Sequence, residues 1–427
     1  MKVYFYTLGC KVNQYETQEM SELLEKNGYT IIYNATEADV AVVNSCTVTA
    51  ESVRKTRQII RKLKKQNPEN TIILTGCASQ AEPHIINDLP EVDIFMGNRS
   101  NTKIVDALNE YLENKEKLTK RIEHLTGDEF VGVGISKFDG HTRAFLKIQD
   151  GCDRFCSYCL IPIARGRSRS KSLEDIDKEL KLLSENGYSE IVFVGINLSD
   201  YGKSTPYSLP DALRLAEKYD GIKRVRLGSL EPDHITDEMI EQLKTITKLC
   251  PQFHISVQSG CDSVLKAMNR HYTAEEYEHL AKKLRETFSD ATITTDILVG
   301  FPSETEEDFN TTVEFVKRVG FEKAHVFPYS VREGTRAAKM EQLTKAVKED
   351  RASRLSVITD KIREEFLKKQ IGKTVEVLFE TEKDGYCEGY TENYTPVRVN
   401  SDKTCKGEFF NVEIIDSEKD YCIGKFI

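Results

Sequence analysis

Apolar and polar positions along this chain fall into alternating blocks. Residues 3–8 are apolar enough for a buried strand and 39–43 read as the next one, whereas 14–26 sets Met20, Leu23 and Leu24 at helical spacing. A helix over 49–65 with Val53, Ile60 and Leu63 on one side, and short strands at 71–74 and 92–96, continue the sequence. This order predicts a parallel sheet covered by helices on both faces over residues 1–113. Across 114–142 the period fades and Gly127, Gly132, Gly134 and Gly140 appear, which reads as a linker with one short strand at 130–135.

The alternation returns over residues 143–368, with strands expected at 145–149, 190–195, 224–228, 254–258, 292–299 and 324–328 and helices such as 173–186 and 275–288 between them. Six β/α units are too few for a closed eight-stranded barrel and predict an open partial one, a (β/α)6 arc whose ligands meet residues just past the strand ends. Gly195, Asn197, Ser229, Glu231 and Gln258 stand there. Individually each also fits turn or capping chemistry. Residues 371–427 change to short alternating strands at 374–379, 386–390, 396–399, 409–415 and 422–426, the pattern of a small antiparallel barrel of the OB-like kind. Such barrels bind looped RNA by stacking bases on aromatics, which makes Tyr390, Tyr394, Arg398 and Lys403 expected RNA contacts, against the plainer reading of core aromatics and a solvated rim.

Composition narrows the class. The chain has 427 residues, enough for several domains, and no apolar run of membrane length. Its opening residues are too few and too quickly polar for a signal peptide, so a cytoplasmic protein with no membrane partner is expected. The net charge of -9 does not advertise nucleic-acid binding, so charge has to be read locally. Two basic stretches stand out, one over 54–65 and one from Arg165 through Arg167 and Arg169 to Lys171. The first reads as a solvated helix face. The second follows a cysteine loop so closely that Arg165 and Arg167 are expected to hold a ligand carboxylate or an RNA phosphate.

Eleven cysteines without an export signal favour metal or catalytic use over a disulfide scaffold. Cys152, Cys156 and Cys159, in Gly151-Cys152-Asp153-Arg154-Phe155-Cys156-Ser157-Tyr158-Cys159, make a loop of three soft ligands. Iron–sulfur clusters usually take four cysteines, so three leave one iron open. Zinc, or a disulfide with a spare thiol, is the alternative. Cys10, Cys46 and Cys77 each follow the C-terminal end of an expected strand, and in a parallel sheet those ends share one ligand-binding edge. A second cluster is therefore expected, against the plainer reading of three buried cysteines. Cys250, Cys261, Cys387, Cys405 and Cys422 have no ligand-like spacing or matching partner and read as structural.

The C-x3-C-x2-C loop, with Tyr158 beside its last cysteine, resembles the radical S-adenosylmethionine (SAM) enzymes. Together with Gly9-Cys10, Asn13 and Glu16, Asn44-Ser45-Cys46-Thr47-Val48, Gly76-Cys77 with Gln80, and Arg165-Gly166-Arg167-Ser168-Arg169-Ser170, it resembles the radical-SAM methylthiotransferases over nearly the whole chain. Residues 371–427 look like that family's TRAM domain. Thr7 through Glu16, His325-Val326-Phe327-Pro328-Tyr329-Ser330 and Gly389-Tyr390-Thr391-Glu392-Asn393-Tyr394 look like the branch acting on threonylcarbamoyladenosine in tRNA. The related branches act on isopentenyladenosine or on a ribosomal-protein aspartate. Where the arginine-rich motif more often ends in proline, this chain has Lys171-Ser172. The resemblance implies two 4Fe-4S clusters: one on Cys152, Cys156 and Cys159, which cleaves SAM to a 5'-deoxyadenosyl radical, and an auxiliary one on Cys10, Cys46 and Cys77, which carries the sulfur. It further implies SAM contacts among Tyr158, Gly195, Asn197, Ser229, Glu231 and Gln258. Its expected partners are the anticodon stem-loop of tRNA, an electron donor such as flavodoxin or ferredoxin, and a sulfur donor.

Overall fold

The computed structural model describes residues 1–82, 84–124, 127–203, 205–401 and 404–427. Six parallel strands open the chain: β1 (Lys2–Thr7), β2 (Thr30–Ile32), β3 (Val40–Ser45), β4 (Thr71–Gly76), β5 (Ile94–Met96) and β6 (Leu118–Lys120), in the spatial order β2-β1-β3-β4-β5-β6. One face of the sheet places Val42 and Ile73 against Met20, Leu24 and Leu108, and the other places Val43 and Leu74 with Ile60 and Leu63. Burial on both faces is why β3 and β4 read as unbroken apolar runs.

Residues 130–135, expected as a strand, form none. Their backbone groups are satisfied by carboxylates instead. The amides of Val133 and Gly134 donate to Glu19, that of Ile135 to Glu179, and those of Ser136 and Lys137 to Glu22. Side chains on the helices Lys11–Lys26 and Leu173–Glu185 thus do the work of a partner strand, and the expected linker is clamped to the surface it crosses.

The central part contains β7 (Ala144–Lys147), β8 (Gln149–Asp150), β9 (Arg169–Ser170), β10 (Glu190–Val194), β11 (Arg224–Leu227), β12 (Ser229–Leu230), β13 (Gln252–Ile255), β14 (Thr292–Val299) and β15 (Lys323–Pro328). Two parallel sheets, β11-β10-β7 and β12-β13-β14-β15, meet at Gly228, where the chain steps from one to the other. They form an open arc of six β/α units. The short antiparallel pair β8–β9 sits outside it and ties together the two ends of the cysteine loop, pairing Gln149 with Ser170 and Asp150 with Arg169.

After the helix Lys345–Lys368 the chain closes a five-stranded barrel of β16 (Thr374–Lys383), β17 (Tyr386–Thr391), β18 (Pro396–Asn400), β19 (Phe409–Ser417) and β20 (Cys422–Phe426). All its pairings are antiparallel except β18 with β20, which run parallel. Cys387 and Cys405 are joined by a disulfide across this barrel, which corrects the expectation that neither has a partner. Their separation of 18 residues resembles no compact motif; Cys387 lies on β17 and Cys405 in the connection from β18 to β19, and both belong to the core of the barrel. The small barrel docks on the N-terminal ends of the central strands. Arg224 donates to the carbonyls of Tyr390 (3.3 Å) and Glu376 (2.9 Å), Arg226 to that of Thr391 (2.7 Å), and the Thr292 hydroxyl to that of Asn393 (2.7 Å). Among the described residues no helix is long and apolar enough to cross a membrane.

Candidate active site between two cysteine trios

Cys10, Cys46 and Cys77 follow β1, β3 and β4, three neighbours in the N-terminal sheet, so the topology alone gathers them at one edge. The approach is close. A Cβ placed on Gly9 would lie 3.1 Å from the Cβ of Cys46. Gly76 has φ +92° and room for no side chain, since a Cβ there would come within 2.4 Å of the Ser45 carbonyl oxygen. Asn13 and Asn44 brace this edge: the Asn13 amide donates to the Asn44 side-chain oxygen (3.0 Å) and to the Ser45 carbonyl (3.2 Å). The Cys10 thiol donates to Asn13 at 3.2 Å, and Cys46 accepts from the Val48 amide at 3.5 Å.

Cys152, Cys156 and Cys159 lie on the loop between β8 and the helix Ile161–Arg165. Gly151 starts that loop at φ +75°, where a Cβ would fall 1.9 Å from the carbonyl oxygen of Arg167. Gln149 holds the loop from below. Fully buried, it donates to the carbonyl of Gly151 (2.8 Å) and the hydroxyl of Ser168 (2.9 Å), and accepts from the Asn197 amide (2.8 Å). Arg270 donates to Cys156 Sγ at 3.3 Å and is ion-paired with Glu231, while the Ile161 amide donates to Cys159 at 3.4 Å.

Arg165 joins the two trios. It has no exposed surface, donates from Nε to Cys77 Sγ at 3.2 Å, and grips Glu16 through both terminal nitrogens at 2.7 and 3.0 Å. Asp150 accepts a further contact at 3.1 Å, and Lys147 pairs with both Glu16 and Asp150 at 2.8 Å. Burial works against ionisation of Glu16, yet Arg165 and Lys147 hold its carboxyl below the usual carboxylate range. Arg165, expected to hold a ligand, spends its guanidinium inside the protein as an interdomain clasp. Arg332 makes a second tie, donating to Thr47 (3.0 Å) beside Cys46 and pairing with Glu82.

The other expected contacts divide by place. Tyr158 packs near Phe301 under the cysteine loop. A Cβ on Gly195 would press on Gln149 at 2.8 Å, so glycine lets the loop support pass. Asn197 has both side-chain amide atoms buried without a protein partner, a pair of polar atoms waiting for a ligand. Ser229 faces the central cavity, and Gln258 sits at φ +66° beyond β13 with its backbone bonded to Asp296 and Leu298. Arg167 is exposed and lies over the Phe155 ring at 4.5 Å. Arg398 is sandwiched between Tyr386 and Tyr421 (4.2 and 4.0 Å). Tyr390 and Tyr394 stack on each other at 4.4 Å, beneath Arg143, and line the cavity wall. Lys403 lies outside the described residues.

Sequence reasoning passed over Gln149, Lys147, Arg270 and Arg332. The first two had a signal, being polar positions inside or just after an apolar run that borders a ligand loop.

The donor chemistry of both trios fits iron–sulfur clusters. Burial pushes the Cys77 and Cys159 thiols up to about 12 and raises Cys46 and Cys152 as well, so thiolates here need a cationic centre to stabilise them. The N–H groups aimed at Cys46, Cys77, Cys156 and Cys159 are of the kind that tunes cluster thiolates. Among the described residues no three His, Cys, Asp or Glu side chains are grouped for a single metal ion.

An open six-unit arc with a three-cysteine loop at its mouth defines a radical SAM enzyme. Residues 146–316 match the Radical SAM superfamily, 2–97 the Uncharacterized protein family UPF0004 and 368–427 the TRAM domain. The chain is 38% identical to the Threonylcarbamoyladenosine tRNA methylthiotransferase MtaB of Bacillus subtilis, with 100% of this chain and 96% of that protein covered. It is 34% identical to a tRNA-2-methylthio-N(6)-dimethylallyladenosine synthase of Caldicellulosiruptor saccharolyticus, over 99% of this chain and 91% of the other. In fold it is similar to the radical S-adenosylmethionine methyltransferase TsrM of Kitasatospora setae, with a TM-score of 0.56 at 15% identity, covering 79% and 77% of the two chains. The chain belongs to the radical-SAM methylthiotransferase family. That membership implies SAM and a 4Fe-4S cluster as its cofactors.

Proposed function

We propose that this chain inserts sulfur and a methyl group at carbon 2 of threonylcarbamoyladenosine, beside the anticodon of tRNA. The observation that carries the reading is that Arg165, six residues after Cys159, reaches Cys77 of the other trio with its buried guanidinium, because radical generation and sulfur delivery need separate centres near one target carbon. The full-length similarity to a protein named for threonylcarbamoyladenosine tRNA supports the substrate.

On this reading Cys152, Cys156 and Cys159 hold one 4Fe-4S cluster, Cys10, Cys46 and Cys77 a second, and the clusters with SAM supply radical cleavage and the sulfur. The chain's own residues place these groups. Gln149 fixes the floor of the loop, and Arg270 sets Cys156 and Glu231 in one polar frame. Asn197 offers its unpartnered amide to SAM. Arg165 with Glu16 and Asp150 fixes the separation of the trios and keeps water out between them. The three domains are 1–113, 143–368 and 371–427, with the clamped segment 114–142 between the first two. The tRNA anticodon stem-loop, a flavodoxin or ferredoxin reductant, a sulfur donor and a cytoplasmic location complete the reading.

Mass spectrometry of nucleosides from a deletion strain should show loss of methylthio-threonylcarbamoyladenosine, and an unchanged profile refutes the substrate. In the reconstituted protein Cys156→Ala should abolish SAM cleavage, while Cys46→Ala should spare cleavage and abolish methylthiolation. Equal cleavage by both variants refutes the division of roles.

A further inference from the structure

The arc encloses a cavity of about 720 Å³ whose far wall is the C-terminal barrel. Its size suits a modified nucleobase with its substituent. Its lining is polar: Arg143, Arg226, His254, Asp296, Lys323 and His325 point into it, with Tyr390 and Tyr394 across from them. Most of these charges are already matched. Arg226 pairs with Glu190 at 2.6 Å, Arg143 with Glu380, and His254 with Asp296 at 3.3 Å.

Lys323 and Arg363 make no ion pair among the described residues, though both lie near Asp420. No described carboxylate lies beside Lys11. It enters the cavity from the N-terminal domain, faces Arg143 and Arg226, and makes no ion pair or side-chain hydrogen bond among the described residues. Lys11 is solvent-accessible and lines this cavity together with Arg143 and Arg226, so an anion entering the space can reach its ammonium. Three cationic side chains facing one space favour an anionic ligand there. The position of Lys11 is informative. Lys11 follows Cys10 directly, and Ser229, on the same cavity wall, stands two residues before the Glu231 that pairs with Arg270 at Cys156. Lys11 thus places one wall of the cavity next to Cys10 in the chain.

We propose that this cavity reads a carboxylate carried on N6 of the target adenine, with the Lys11 ammonium as its counter-ion. The inference rests on the threonylcarbamoyladenosine reading and deepens it. The threonyl group carries one free carboxylate, and the cavity supplies Lys11, a cation with no described carboxylate beside it. A dimethylallyl group has no charge, would leave Lys11 unmatched, and would meet few apolar side chains in this lining, Val192 and Leu227 among them.

The test uses the full chain, anaerobically reconstituted, and fluorescence-anisotropy titrations with anticodon stem-loop RNA bearing threonylcarbamoyladenosine, its methyl ester, or dimethylallyladenosine. The wild-type protein should bind the acid about 10-fold or more tightly than the ester, the span of a charge-assisted hydrogen bond. Lys11→Met should bring that ratio below about 3-fold, and Lys11→Arg should keep most of it. Equal binding of acid and ester by wild type, or undiminished discrimination by Lys11→Met, overturns the inference. The wild-type comparison decides alone where a variant does not fold. Tighter wild-type binding of the dimethylallyl RNA than of the threonylcarbamoyl RNA overturns the substrate reading itself, a different outcome from loss of acid–ester discrimination.

Discussion

The Arg165 clasp makes a quantitative prediction. Arg165 is fully buried and serves Glu16, Asp150 and Cys77 at once. Replacing it with methionine keeps much of the volume but leaves Glu16 with Lys147 as its remaining cation. Removing one member of a buried pair costs about 3–5 kcal/mol, chiefly because the other charge stays behind. Glu16→Gln relieves that charge, so the double variant Arg165→Met/Glu16→Gln should be destabilised by less than the sum of the singles. The shortfall should be about 1.5–3 kcal/mol, the range for residues in one buried network. Melting of the N-terminal and central domains, followed by differential scanning calorimetry with limited proteolysis of the segment around residue 121 as a local readout, supplies the three differences. A double variant whose loss equals the sum of the singles within about 0.5 kcal/mol would refute the view that Glu16 and Arg165 act as one unit.

Two further predictions follow from the same interface. Burial raises the carboxyl of Glu19 to about 7, although Lys147 and the Val133 amide work in the opposite direction. Its folded pKa therefore lies above the unfolded value of 4.5, the folded chain binds more protons between the two, and stability falls as pH rises from 4.5 to 7 and then levels off. The loss is about 3 kcal/mol at most, and Glu19→Gln should flatten this part of a stability–pH profile; an unchanged slope would show that Glu19 is not its source. Gly151→Ala should distort the cysteine loop, because the new Cβ would fall 1.9 Å from the Arg167 carbonyl oxygen at a φ of +75°. Iron content after reconstitution should fall by about the share of the Cys152–Cys159 cluster, and full iron loading would show that the loop tolerates the change.

The elements were legible because each carries its own period. The apolar runs of β3 and β4 are buried on both faces, and the C-terminal strands alternate because one face of each fills a small barrel. The two cysteine trios were legible for a different reason: one is contiguous, and the other marks equivalent strand ends that any parallel sheet brings together. What had no local period was invisible. The segment 130–137 reads as a linker, since the acceptors of its amides are carboxylates more than a hundred residues earlier or over forty residues later.

Arg165 shows why motif reading assigned residues more readily than roles. A basic run beside a ligand loop offers no sign of which guanidinium is spent internally, because that depends on whether a carboxylate from another domain arrives to meet it. Glu16 arrives, so Arg165 becomes structural, while Arg167, two residues on, meets Asp153 at 3.4 Å and the Phe155 ring and stays at the surface. Lys11 is the converse case. It looks like an ordinary polar position at the start of a helix, and only the docking of three domains puts it on the wall of a cavity beside two arginines. The cysteines proposed as cluster ligands are gathered by loop spacing and by sheet topology, whereas the residues proposed to choose the substrate are placed by how the domains close around the cavity, and the second kind of information is not local to any stretch of the chain.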